Sequence, residues 1–354
     1  MMAGGPDHPR GPGPASEPEY EVIGGVIDDQ PSGLATPKPD PIPRASGAFL
    51  VAAGEAWRNT RKSVTSWRFW LACALAIAAA WGMAAALVVW AESNSWFEVR
   101  IRSAVYLIMA VFLALASAVL GAIWGFRHFR GRVIVLLLSG VLRGVAFAVV
   151  AGGVLVAVGI TVGGPIALAG AAVVVIVLEV ALFGLIGAGS RRCFAKVTPG
   201  AVLTTVLVAF LCMGNVAVTI MLLPGTTEMD QASVPVNVQR DDSGTVTGYE
   251  CVGELRPVEV AHTEHVVWLA TPNPALLLGS IGAEIVPPDN ELGWVLAGLQ
   301  FAADGPSRQV PCLGGESSTG LPPSMPVALT GLALQALLAA LVLIAGRWLA
   351  AKRL

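Results

Sequence analysis

The segment Glu259-Val260-Ala261-His262-Thr263-Glu264-His265 gathers two imidazoles and two carboxylates within seven residues. Imidazole and carboxylate are donors that a divalent cation takes. Histidines three residues apart recur often by chance, so the segment reads as a bland loop and no metal is expected. Arg143 and Glu179 stand out for a different reason, because each interrupts a long apolar stretch. If those stretches are helices, each charge lies on the order of 15 Å from the same end. Neighbouring antiparallel helices could then pair them. One reading is an ion pair that locks two helices; the other is a polar step on a substrate pathway. Cys251 and Cys312 form the third constellation, two thiols in one polar stretch that could close a disulfide.

The other familiar chemistries are missing. None of the four lysines, Lys38, Lys62, Lys196 and Lys352, stands in a Gly-x-x-x-x-Gly-Lys-Ser/Thr phosphate loop. There is no His-Glu-x-x-His, and none of the four histidines falls in an apolar stretch. The chain is therefore not expected to be an enzyme or to carry a cofactor, and any ATP would be hydrolysed by a partner.

Composition says what must position these groups. Apolar residues make up 55% and charged residues 13% of the 354 positions, with a mean hydropathy of +0.70. Soluble chains carry about 25% charge. The apolar excess excludes a disordered chain, five cysteines are too few for a secreted disulfide scaffold, and a net charge of −2 argues against a nucleic-acid binder. The expected fold is an all-α polytopic membrane protein with six transmembrane helices.

A crossing helix needs about 20 apolar residues. The runs that qualify are Phe69–Trp90, Ala104–Gly125, Val133–Leu155, Ile166–Ala188, Ala201–Leu223 and Val327–Gly346. Gly163, Gly164 and Pro165 divide the tract from Val133 to Gly189 into a helical hairpin. Basic residues then fall on one side: Arg58, Arg61, Lys62 and Arg68; Arg127, Arg130 and Arg132; Arg191, Arg192 and Lys196; Arg347, Lys352 and Arg353. Lysine and arginine collect on the cytoplasmic side, so both termini are expected there, in a multi-pass protein of the plasma membrane.

Residues 1–48 hold ten prolines and an acidic excess, and read as a disordered cytoplasmic tail. Residues 49–68 read as an interfacial helix. Phe49, Leu50, Ala53, Trp57 and Val64 recur at helical spacing there, with Arg58, Arg61 and Lys62 between them. Residues 69–223 hold five spans, 327–346 the sixth, and 347–354 a short cytoplasmic tail.

Between spans five and six lies a large loop domain, 224–326, with thirteen acidic residues against three arginines. Such a balance suits the outer face. Cys251 and Cys312 are the only cysteines placed there, and a disulfide between them would add about 4 kcal/mol on the chain-entropy estimate. Within the loop, Val266–Ile281 is apolar but broken at Pro272-Asn273-Pro274. A seventh crossing would put Arg347, Lys352 and Arg353 outside, so a re-entrant or surface-lying helix pair is expected. Backbone at that depth must be shielded by protein.

Tyr249-Glu250-Cys251-Val252-Gly253, the run from His262 through Trp268 to Pro274, Val310-Pro311-Cys312 and the closing span together resemble a known family. They are similar to actinobacterial membrane proteins of the type-2 ABC transporter permease family, from span five onward. The resemblance implies a six-span subunit that dimerises, carries an interfacial N-terminal helix and works with a separate ATP-binding subunit. Family members usually have a longer connection between spans two and three, where the ATPase docks; here it is only Arg127–Arg132. The candidate ATPase contacts are Arg127, Arg130, Arg132, Arg191, Arg192 and Lys196. The expected partners are that ATPase, a second permease subunit in a homo- or heterodimer, and the lipid bilayer. The competing expectation is a non-transport membrane protein whose outer loop domain binds a ligand or partner.

Overall fold

The computed structural model describes residues 45–94, 103–129, 131–240, 242, 246–286, 292–306, 310–315 and 326–353. Helix α1 spans Ala45–Val64, α2 Trp67–Ser93, α3 Ala104–Arg127, α4 Val133–Val162 and α5 Ile166–Cys193. The fifth long helix begins as α6, Val197–Ala209. It widens into a π turn at Phe210–Gly214, resumes as α7, Asn215–Leu222, and tightens at Leu223–Thr226. The last is α11, Val327–Ala351. Six of these units are long and apolar enough to cross a membrane, and on that ground the chain is a multi-pass membrane protein.

The fold is not purely helical. Strands β1, Thr227–Arg240, and β2, Val246–Ala261, pair antiparallel directly after the fifth long helix, with Thr227 opposite Ala261 and Pro235 opposite Cys251. Among the described residues, three short helices follow: α8, Glu264–Val267; α9, Pro274–Ile285; and α10, Gly293–Asp304.

Helix α5 is the centre of the bundle, packed against α3, α4, α9 and α11. Small residues let the backbones approach, which is how apolar helices gain contact where burial from water offers little. A Cβ on Gly121 of α3 would lie 2.7 Å from the Val180 carbonyl oxygen, and one on Gly125 or Gly187 would overlap the facing backbone. Helix α11 crosses the other flank, where Gly346 abuts the Gly189 carbonyl at 2.7 Å on the same measure. Helix α2 buries only a narrow strip, Phe69, Cys73, Ala80 and Ala84 among it, and leaves Trp67, Trp81 and Trp90 exposed.

The α4–α5 turn forms as the glycines and proline require. Gly163 takes a left-handed conformation at φ 76° that ends α4. Tyr106 packs over Gly164 and donates its hydroxyl to the Pro165 carbonyl at 3.0 Å. The bundle thus has two ends. The hairpin end carries this turn and β1–β2; the basic end carries the α3–α4 and α5–α6 connections and the end of α11.

Helix α1 starts within the stretch expected to be tail and ends at Val64, before a turn leads into α2. It docks on α4 through Ala52, Ala56 and Thr60, one residue per turn, against Val135, Leu138 and Leu142. Phe49, Leu50, Trp57, Arg58, Arg61 and Lys62 remain exposed. Residues 1–44 lie outside the described residues.

Candidate functional site

A polar network in the bundle interior is built around Asn273. Its side-chain oxygen accepts from the backbone N–H groups of Ala275 at 2.9 Å and Leu276 at 3.4 Å, and Pro274 opens the helix. This is an N-cap, and it explains why α9 begins where the Pro272-Asn273-Pro274 run breaks the backbone. The amide Nδ2 of the same residue donates to the carbonyls of Leu211 at 3.1 Å and Cys212 at 2.8 Å, and to Asn215 Oδ1 at 3.3 Å. Those carbonyls belong to the π turn, where the wider backbone offers acceptors to a side chain from outside the helix.

From the other flank, Gln335 of α11 donates its Nε2 to the Pro272 carbonyl and to Glu179 Oε1, both at 2.9 Å. One turn away, Gly331 fits against the Thr271 carbonyl. The Thr271–Asn273 elbow is therefore wedged between the long helices α5, α6–α7 and α11, and α9 climbs back from it with Leu277 and Leu278 buried. The elbow's backbone is thus covered by protein midway along the long helices. Three buried atoms in this network have no hydrogen-bond partner: Glu179 Oε2, Gln335 Oε1 and Asn215 Nδ2. Such orphans are where a proton, a water or a polar group of a ligand is received.

Arg143 and Glu179 do not form the expected ion pair. Arg143 donates from Nη2 to Ser63 Oγ of α1 at 3.1 Å, while Glu179 meets Gln335. The reason is angular. Val177, Val180 and Ala181 turn toward α4, where they meet Gly140 and Gly144; at 3.6 residues per turn, Glu179 points to the opposite side of α5. Arg143 instead lines a cavity of about 310 Å³ at the basic end, with Asn59, Arg127, His128, Phe129, Val135, Leu136 and Ser139.

The other basic candidates divide by exposure. Arg127, Arg132 and Lys196 are exposed. Arg192 is engaged within the chain, donating to the carbonyls of Phe129 at 2.8 Å and Gly131 at 2.7 Å. Arg191 donates to the Phe194 carbonyl at 2.9 Å and lies 4.8 Å from the Phe129 ring centre. These two arginines fasten the α3–α4 connection. Arg130 lies outside the described residues.

At the hairpin end, Cys251 and Cys312 form a disulfide with Cα atoms 5.5 Å apart. Cys312 also lies along β1, accepting from the Ser233 N–H at 3.1 Å, so the bond ties β2 to a segment seated on β1. Below it, where β2 ends, His262 Nδ1 lies 2.9 Å from Glu264 Oε1 and Nε2 lies 3.1 Å from Asp230 Oδ2. The Glu264 hydrogen bond raises the His262 pKa above its ordinary value, desolvation opposes this, and the charges of Glu264 and Asp230 add to the rise. The ring of His265 stacks on it at 5.3 Å. Ligand atoms of His262, Glu264 and His265 lie within 4.8 Å of one another, a spacing that would admit a cation. Both nitrogens of His262 already face a carboxylate, however, and a doubly protonated ring satisfies both. Glu259 pairs with Met229 in the sheet and takes no part.

Sequence reasoning misses Asn215, Gln335, Ser63 and Asp230 as partners. Each is an ordinary polar residue whose contact lies far along the chain. Comparisons with protein-family models, with curated proteins and with solved structures find no match for this chain.

Proposed function

We propose that this chain is the membrane-spanning permease subunit of an ABC-type exporter in the plasma membrane, dimerising and driven by a separate ATPase subunit. The observation that carries the transport reading is the Asn273 elbow. A broken helix entering the middle of a bundle, with Glu179, Gln335 and Asn215 each holding an orphan polar atom, is how membrane transporters build polar sites in an apolar interior. Both termini are cytoplasmic in this reading, because basic residues collect at the end opposite the acidic hairpin. ATP hydrolysis is assigned to a partner because the chain has no phosphate loop.

The connection Arg127–Arg132 is short and strapped by Arg192, so it offers little surface for a coupling helix. A heterodimer in which the second permease makes the main ATPase contact accounts for this. A photocrosslinker at Arg132 or Lys196 should capture an ATP-binding subunit or a second permease. Capture of neither from either position counts against the reading.

One observation favours a second reading, a receptor-like membrane protein. The disulfide-tied hairpin leaves Met229, Val234, Val252 and Leu255 exposed, a surface that a ligand or partner could cover.

A further inference from the structure

Arg143 is 3% exposed, its Nε is buried without a hydrogen-bond partner, and its one side-chain bond is to the neutral Ser63 hydroxyl. No carboxylate pairs with it among the described residues. A buried guanidinium without a counter-charge is strongly disfavoured. A void of about 10 Å³ between α3, α4 and α5 touches the residue and has room for one water, but a water brings no negative charge.

The counter-charge has room on the other side. The cavity of about 310 Å³ beneath α1 is far larger than a single water needs. Its wall is divided. Arg143, Arg127 and Asn59 offer donors, whereas Val135, Leu136 and Phe129 are apolar. The Ser139 hydroxyl is turned back to the Val135 and Leu136 carbonyls and stays out of the donor set.

Helix α1 covers this cavity and carries a lipid-type face of its own. Its exposed side carries Phe49, Leu50 and Trp57 beside Arg58, Arg61 and Lys62, the mixture of a helix lying at headgroup level. Arg127, exposed at the end of α3, and the buried Arg143 of α4 line the same cavity, so its wall runs from the basic end of the bundle inward.

We propose that this cavity binds the phosphate of an anionic phospholipid, with Arg143 as its buried anchor and Arg127 at its mouth. The proposal rests on the membrane-spanning reading and not on transport, so the loss of an ATPase partner would leave it standing. Guanidinium to phosphate is a charge-assisted, fork-shaped contact, and the apolar wall suits the glycerol and the first acyl carbons.

The test uses the full chain, purified and delipidated in a non-ionic detergent. Thermal unfolding and native mass spectrometry are followed while phosphatidylglycerol, phosphatidylcholine or inorganic phosphate is added. Phosphatidylglycerol should raise the midpoint and remain as an adduct of one lipid per chain, and phosphatidylcholine should do much less. Arg143→Gln should weaken the phosphatidylglycerol response by about tenfold or more, the scale of one lost charged contact. If that variant does not fold, Leu136→Trp, which fills the cavity and keeps the arginine, should remove the same response. Equal responses to the two lipids would overturn the proposal, as would an undiminished phosphatidylglycerol response in the variants. If inorganic phosphate reproduces the shift, the site takes a free phosphoanion and the lipid assignment is wrong.

Discussion

Gln335 Nε2 lies 2.9 Å from both Glu179 Oε1 and the Pro272 carbonyl, so a single amide group joins α11, α5 and the Thr271–Asn273 elbow. Both N–H bonds of that amide are used, and all three partners are buried. The contact decides what should happen when either end is changed. Glu179→Gln keeps an acceptor for the amide and should be mild. Gln335→Leu strands the Glu179 carboxyl and the Pro272 carbonyl, and should cost about 1–3 kcal/mol for each buried group left unpaired. Detergent-solubilised thermal unfolding measures both.

Arg143 and Glu179 belong to different surroundings, so their substitutions should add. In a double-mutant cycle of Arg143→Leu and Glu179→Leu, the coupling should stay within about 0.5 kcal/mol, as for independent sites. A double variant markedly more stable than the sum of the singles would restore the ion pair that the geometry separates.

Asn273→Ala removes the α9 cap and the donor to the π turn together. The cap contributes about 1 kcal/mol and each stranded carbonyl a comparable amount. Hydrogen exchange should rise in the first turn of α9 and at Phe210–Gly214, while α3 stays protected. Unchanged protection at Phe210–Gly214 would mean that the two elements are not coupled.

The disulfide should appear in non-reducing peptide mapping as linked Cys251 and Cys312 peptides, with Cys193 free. Replacing both cysteines by serine should lower stability by about 2–4 kcal/mol. Alkylation of both Cys251 and Cys312 without reductant would contradict it.

His262 makes a pH-dependent contribution with a definite sign. Its folded pKa is raised above 6.5, so the protonated ring stabilises the fold below that pH, and the contribution fades as pH climbs through the higher folded value. The melting temperature of wild type minus that of His262→Gln should therefore shrink from pH 6 upward. A difference that grows with pH and collapses on adding a chelator would indicate a bound metal instead.

The six long helices are legible in the chain because a run of about twenty apolar residues is a local property. That Arg143 and Glu179 fall well inside long apolar helices is legible for the same reason, since it follows from counting along a helix. Their direction is not, because it depends on which face of α5 the glycines of α4 meet. The hairpin leaves a signal in the alternating Val234, Val236 and Val238, but an acidic setting and Pro235 mask it. Pro272 and Pro274 mark the break in the apolar segment that enters the bundle. That Asn273 reaches Leu211 and Cys212 across more than sixty residues is a tertiary fact that no local pattern carries.

The account's central claim is that this chain works as a transport subunit beside a separate ATPase. Affinity purification of the tagged full chain in mild detergent, with ATP hydrolysis measured on the product, tests it most directly. A complex containing an ATP-binding subunit and a second permease, with detergent-stable ATP hydrolysis, is the expected result. A homogeneous, stable, ligand-binding preparation of this chain with no associated ATPase would contradict it and favour the receptor reading.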